Sequence, residues 1–354
     1  MPGHDISGDL QARVRDACSS ATALAVRGGG TKAFYGRVAQ GEVLSVAEHD
    51  GVVAYEPTEL VITARAGTRL AELESVLRKG GQMLAFEPPH FGGESTVGGA
   101  IACGLSGPRR PFVGAARDFV LGTQIINGRG EILRFGGEVM KNVAGYDVSR
   151  LMVGALGTLG VLLEISLKVL PLPVEEVTLS QQATVALALE TMSRWAGFAM
   201  PLSGACFDGQ QLFFRLSGAV PAVRTSREKI GGEVCADGDR LWQELREQTH
   251  GFFRGEEPLW RLSVPATTPA LPLEGRWLLD WGGAQRWLRS EQPASVIQRA
   301  AAAAGGHAVL FRGGDRAGEV FQPLAEPLRG LHRNLKRAFD PNGILNPGRL
   351  YRAW

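Results

Sequence analysis

Apolar residues recur at helical spacing near the start of the chain. Ile6, Leu10, Val14 and Ala17 share one face, which predicts a short amphipathic helix over 6–18 with Ser7 as its cap. The period then shortens. Residues 21–26 read as a strand that runs directly into RGGGTK (27–32), and 42–46 read as another. A strand-helix-strand unit follows in LVITARAG (60–67), TRLAELESVLRKGG (68–81) and QMLAF (82–86). FVLGTQIIN (119–127) and EILRFG (131–136) form a hairpin-like pair, and the apolar run LGVLLEISLKVLPLP (159–173) closes the first half.

Beyond Pro171 and Pro173 the pattern changes to alternating short strands and helices. Helices are expected near 184–195, 220–230 and 294–304, and strands near 202–207, 211–216, 259–264, 276–281 and 307–312. This predicts an α+β layer on an antiparallel sheet, loosely repeated but with no repeat visible in the residues themselves. The tail reads as a helix stopped by Asp340-Pro-Asn-Gly343, and its two Asn/Pro turns argue for a docked ending. The expected units are therefore 1–172, 173–322 and a C-terminal return, 323–354. All seven Trp fall after residue 172, so the middle unit could carry a docking surface, although Trp is equally at home in a core.

Composition narrows the function classes. With 354 residues, 44% hydrophobic and 21% charged, the chain is long enough for two globular domains. A net charge of +2 with scattered basic residues gives no footprint for nucleic acid. No signal-like or membrane-spanning apolar run is present, so no direct membrane span is expected. Four cysteines without CxxC spacing fit a reducing, cytoplasmic setting and cannot hold an iron-sulfur cluster. The six histidines show no metal-ligand spacing, so no metal site is expected. What stands out is glycine: 47 residues, of which 16 lie between Gly92 and Gly160, inside otherwise apolar sequence.

Three glycine-rich clusters carry the candidate chemistry. Arg27, Gly28, Gly29, Gly30, Thr31 and Lys32 follow a strand and can present consecutive backbone N–H groups to a pyrophosphate; the alternative is a plain turn. Gly28, Gly30 and Ala33 also fit a dinucleotide GxGxxA fingerprint with Glu48 or Asp50 downstream, but the next residues lack the helical pattern it needs. PPHFGGESTVGGA (88–100), continuing to Gly107, could let a flat ligand lie on bare backbone, or could be tight packing at a bulge. KNVAGYD (141–147) and the glycines at 154, 157 and 160 form the third cluster, which could equally be a packing face.

Taken in this order, the clusters resemble the FAD-binding domain of the vanillyl-alcohol oxidase and p-cresol methylhydroxylase superfamily. Within it the chain is similar to the FAD-binding E subunits of bacterial glycolate oxidase. The resemblance covers about residues 20–172 and 325–351. It implies a two-subdomain FAD-binding domain plus a smaller α+β cap with an antiparallel sheet. It implies that residues 27–32 wrap the FAD pyrophosphate. Pro89, Ser95, Thr96, Val97, Gly98, Gly99, Ala102 and Gly107 would line the flavin, and Gly157, Thr158, Gly160 and Val161 the adenine and ribose end. Asn346 would come from the tail motif DPNGILNPG (340–348), which resembles the family's return to the flavin domain. The first loop has Gly30-Thr31 where covalent members place His or Cys, so the FAD is expected to be noncovalent.

The resemblance further implies glycolate, with D-lactate as a second candidate, going to the 2-oxo acid. The partners would be a sister FAD-binding subunit and an iron-sulfur subunit, and any inner-membrane association would be peripheral, through those partners. Three functions are compatible: a flavin-bearing subunit of a complex, an autonomous FAD-dependent 2-hydroxy-acid dehydrogenase, or a degenerate flavoprotein scaffold. Dehydrogenation needs a cation for the substrate carboxylate and a base for the hydroxyl proton. The candidates are Arg109, Arg110, Arg312, His90 and His332, each with an ordinary structural reading beside it. The complex subunit is favoured, because the cofactor surfaces are complete in sequence while no acid-base constellation is.

Overall fold

The computed structural model describes residues 3–137 and 147–353. Helix α1 (Ser7–Ser20) precedes a small parallel pair, β1 (Leu24–Arg27) and β2 (Glu42–Ser45). The cap of α1 is not Ser7: Ile6 occupies that position, and the Ser7 N–H donates to Asp5 Oδ1 at 3.0 Å. The first strand starts later than the pattern suggests, because Ala21 ends α1 in the left-handed region at φ 53°.

Next come β3 (Val52–Glu56), β4 (Val61–Arg65), α2 (Leu70–Lys79) and a two-residue β5 (Gln82–Met83). Three short helices, α3 (Val97–Cys103), α4 (Arg110–Val113) and α5 (Ala116–Phe119), lead into β6 (Val120–Ile126) and β7 (Ile132–Gly136). The half closes with β8 (Val161–Lys168) and β9 (Leu170–Pro171). An antiparallel five-stranded sheet has the order β3-β4-β8-β6-β7. Its central β8 is buried along most of its length, with only Glu164 and Lys168 half-exposed, because both faces are covered. Val161 and Leu163 pack with Leu10 and Val14 of α1, while Ile165 and Leu167 pack with Leu70, Leu73 and Leu77 of α2. Leu70 and Leu73 keep the helical spacing read in the sequence.

The segment read as bare glycine backbone is helical at its centre. Thr96 caps α3, its hydroxyl accepting from the Gly99 N–H at 3.2 Å, and burial of Val97, Ala100 and Ile101 outweighs the poor helix propensity of Gly98-Gly99.

The second half is built from β10 (Glu175–Gln182), α6 (Val185–Ala196), β11 (Leu202–Phe207), β12 (Gln211–Gly218), α7 (Val220–Ile230), β13 (Glu233–Val234) and α8 (Gly238–Glu247). It continues through β14 (Leu259–Ser263), β15 (Arg276–Asp280), β16 (Gln285–Arg289), α9 (Ala294–Ala303) and β17 (His307–Arg312). One antiparallel sheet runs β13-β10-β12-β11-β15-β16-β14-β17. Strands β10 to β13 form a split β-α-β unit in order 4-1-3-2, and β14 to β17 repeat that order as 2-3-1-4, its mirror along the sheet. The two units meet at Phe207 and Leu279. The second lacks its first helix, having only loop between β14 and β15, so the repeat does not show in the residues. The Trp cluster is core here: Trp242, Trp260, Trp281 and Trp287 are buried, which removes them from any docking surface.

Two buried polar assemblies hold the halves and the tail together. Arg109 pairs with Glu87 (3.2 Å) and Glu176 (2.6 Å), and Arg215 pairs with the same two carboxylates (2.8 and 3.7 Å). Helix α10 (Glu326–Phe339) ends at Asp340, whose carboxylate accepts from the Ile344 and Leu345 N–H groups and from Lys336 Nζ at 2.5 Å. The tail then runs beside β1: the Leu24 N–H donates to Ile344 O, and the Asn346 N–H to Leu24 O.

Candidate functional site

A cavity of ≈ 350 Å³ lies where the loop after β1, the start of α3, residues 156–162 and the tail converge. Thirteen of the residues singled out in the sequence line it: Arg27, Gly28, Gly29, Gly30, Thr31, Lys32, Thr96, Gly98, Gly99, Ala102, Gly157, Gly160 and Asn346. The loop is ready for an anion. Among the described residues, none of the five amide N–H groups from Gly28 to Lys32 donates to a protein acceptor, so this half-buried loop keeps its donors for a ligand. Arg27, Lys32 and Arg349 add positive charge, and no Asp or Glu is in the lining. No helix follows the loop before β2, so the dinucleotide fingerprint of the GxGxxA type is absent.

The glycines serve different ends. A Cβ on Gly29 would lie 1.5 Å from the Glu94 carbonyl oxygen, so that glycine permits a close approach of two loops. A Cβ on Gly99 would meet only Thr96 Oγ1, at 3.1 Å, and otherwise enter the cavity. The residues therefore fit a long ligand with a diphosphate centre.

Lys32 is buried, with Nζ donating to Ser95 Oγ at 2.7 Å and to His90 O at 3.2 Å. Burial holds its pKa down to about 8. The Arg349 guanidinium donates to the carbonyls of Ala33, Tyr35 and Arg37, stitching residues 33–37 into place. Asn346 sits in the left-handed region at φ 43°; its Oδ1 accepts from the Val26 N–H (2.8 Å) and its Nδ2 donates to Leu156 O (2.6 Å).

Six other residues expected at the cofactor lie outside this lining. Ser95 stands behind Lys32 as its hydrogen-bond partner. Val97 and Val161 are core residues. The Thr158 carbonyl accepts from Lys336 Nζ at 2.8 Å. Gly107 accepts from the Trp281 indole at 3.0 Å and, with Pro89, lines a smaller cavity at the seam between the halves. Residues 141–146 of the third cluster lie outside the described residues. Cys103, one of the small residues of the second cluster, does line the cavity, whereas the sequence reading missed Ala39, Gly41, Val43, Ala66, Leu156, Leu162 and Arg349. Only Gly41, with φ 108°, carried a recognisable signal.

The catalytic candidates are dispersed. His90 faces Glu74 at 3.2 Å, and Arg109 belongs to the four-charge assembly. Arg110 stacks over Trp281 at 4.3 Å, and Arg312 over Phe34 at 4.2 Å. His332 borders a separate pocket beside α10. None of the five lines the main cavity. Among the described residues no group of three His, Cys, Asp or Glu side chains is gathered as for a metal ion, and no helix is long and apolar enough to cross a membrane.

Comparison with known proteins agrees with this geometry. Residues 7–136 match the FAD binding domain family and 313–350 the C-terminal domain of FAD linked oxidases. The chain is 50% identical over 347 residues to glycolate oxidase subunit GlcE of Escherichia coli (strain K12), covering 98% of both chains. It is 32% identical over 140 residues to a D-lactate dehydrogenase of Anaerostipes hadrus, covering 39% of this chain and 29% of that one. Among solved structures, a 4-ethylphenol oxidase from Gulosibacter chungangensis matches with TM-score 0.70 at 17% identity, over 98% of this chain and 87% of the other. An alkyldihydroxyacetonephosphate synthase matches with TM-score 0.70 at 16% identity, over 97% and 76%. These place the fold in the vanillyl-alcohol oxidase type. The chain belongs to the family of glycolate oxidase subunit GlcE, FAD-dependent oxidoreductases that act as one subunit of a complex, and its cofactor is FAD.

Proposed function

We propose that this chain holds FAD noncovalently as one subunit of a glycolate-oxidising complex. Glycolate, with D-lactate as a second substrate, would go to the 2-oxo acid, and electrons would pass to a sister FAD-binding subunit and an iron-sulfur subunit. The observation that carries the reading is the match along 98% of both chains to the Escherichia coli glycolate oxidase subunit. When bound, FAD would supply the two-electron acceptor for the alcohol carbon. The residues of this chain would do the holding: the amides of residues 28–32 would take the diphosphate, Lys32 would add a positive charge, and Arg349 fixes residues 33–37 beside that loop.

Noncovalent attachment is supported by the lining itself. It contains no His, and its one thiol, Cys103, is pushed up to about 11 by burial, leaving little thiolate to bond to flavin. The same reading divides the chain at 172 and 322, supported by the five-stranded sheet ending at Lys168 and the eight-stranded one starting at Glu175. Any membrane attachment runs through partners in the cytoplasm.

Purification of the tagged chain from its native cells tests this. The expected result is a complex whose flavin is released by acid precipitation and which oxidises glycolate. A chain that purifies folded, alone and without flavin would overturn it. Anaerobic bleaching by glycolate in the isolated chain would instead assign the dehydrogenation to this subunit without its partners.

A further inference from the structure

The seam between the two halves holds the second, narrow cavity, ≈ 20 Å³ in volume, with Phe91, Gln248, Arg261, Asp280, Trp287 and Phe311 in its lining. Arg261 lies mid-strand on β14. One of its five N–H donors is used, toward the Tyr35 hydroxyl at 3.0 Å, and among the described residues no carboxylate pairs with it. Arg110, from the opposite half, lies close enough that the Arg261 charge, after burial, helps hold its pKa down. Asp280 is the one carboxylate in the lining, and among the described residues it pairs with neither guanidinium, which leaves positive charge on Arg261 that an anion would relieve.

A second observation is independent of charge. Gln248 is only 8% exposed, and its side-chain oxygen receives no hydrogen bond. A buried acceptor without a donor is costly, and a ligand hydroxyl would satisfy it. Nearby, the buried Asp280 carboxyl accepts from the Trp281 N–H (2.7 Å) and the Gln285 side-chain amide (3.3 Å). Burial pushes its pKa up to about 7, within reach of a neutral-pH proton exchange. A cation beside an orphan acceptor matches a carboxylate and a hydroxyl carried by one small molecule.

We propose that this seam cavity binds a small 2-hydroxy monocarboxylate, Arg261 holding the carboxylate and Gln248 accepting from the hydroxyl. This rests on the 2-hydroxy-acid reading above and adds its residues. Because Phe91, Trp287 and Phe311 wall a narrow space, a two-carbon acid displaces them least and larger acids progressively more.

The test titrates the FAD-loaded full chain with glycolate and with acetate, which lacks the hydroxyl, following tryptophan fluorescence. Arg261→Gln is expected to weaken both ligands at least tenfold, with Arg261→Lys intermediate. Gln248→Leu is expected to weaken glycolate several-fold while leaving acetate unchanged. Flavin content and Tm confirm that each variant is folded; should Arg261→Gln fail to fold, Arg261→Lys and Gln248→Leu carry the same comparison. Glycolate binding that is equal in wild type and variants overturns the site and leaves the function standing. Arg261-dependent binding without glycolate oxidation by the complex supports the site and sinks the function. No binding of either acid overturns the site.

Discussion

Gly99 and Gly29 look alike in the sequence but differ in what a side chain would meet. Gly99→Val should cut FAD occupancy about tenfold or more while leaving apo-protein stability within about 1 kcal/mol, because valine tolerates a helix better than glycine and the added atoms enter the cavity. Flavin absorbance and thermal melts separate the two effects. Gly29→Val would first push apart the two loops that meet at Glu94, so its loss of flavin would not report on the cofactor alone. Lys32 gives a pH prediction of definite sign. Its pKa is lowered to about 8, and a diphosphate favours the charged ammonium. FAD affinity should be full below about pH 8 and fall by up to about tenfold per unit above it. Lys32→Met should bind FAD more weakly and flatten that dependence, as measured by flavin fluorescence.

The element that most depends on distant partners is the tail. Asp340 ends α10 and turns the chain, and Asn346, in a left-handed conformation that Asn tolerates, ties it to β1 and to Leu156. Asn346→Ala should cost roughly 2–3 kcal/mol through two lost buried hydrogen bonds and the strained φ. Urea denaturation checks it, and FAD retention should fall in parallel because Asn346 lines the cavity. Helix α3 shows where element-level reading was too literal. Two adjacent glycines argued for irregular backbone, yet three buried apolar neighbours and a Thr cap make a helix. The strands β3, β10 and β16 and the helix α8 were not read from the pattern. In β16, Gln285, Arg286 and Arg289 are buried, so polar residues masked a core strand. Their partners explain this: Arg286 donates to the Gly283 and Pro269 carbonyls, and Arg289 to Phe252 and Glu257.

At the scale of the molecule, the four charges Glu87, Arg109, Glu176 and Arg215 cross from one half to the other in a seam where both arginines are buried and both glutamates mostly so. Glu87→Ala would leave two buried arginines short of a partner and should cost about 3–5 kcal/mol. Because these groups are buried, added salt should change that loss little, in contrast to surface pairs, and chemical denaturation at two ionic strengths checks it.

The sequence by itself determined the local parts: the apolar periods of α1, α2 and β8, the glycine loop after β1, the docked tail and the resemblance that names the cofactor. These rest on near neighbours along the chain, where spacing alone places side chains on a face or bares a stretch of backbone. Only the tertiary structure decided which glycines face the cavity and which face protein, that four of the Trp residues are core, and that the sheet contains a mirrored repeat. It also decided that Arg261 and Gln248, 13 residues apart and in no recognisable motif, look into one cavity. Such meetings depend on strand order and on which side chains find partners, and neither is written in the spacing of the residues that meet.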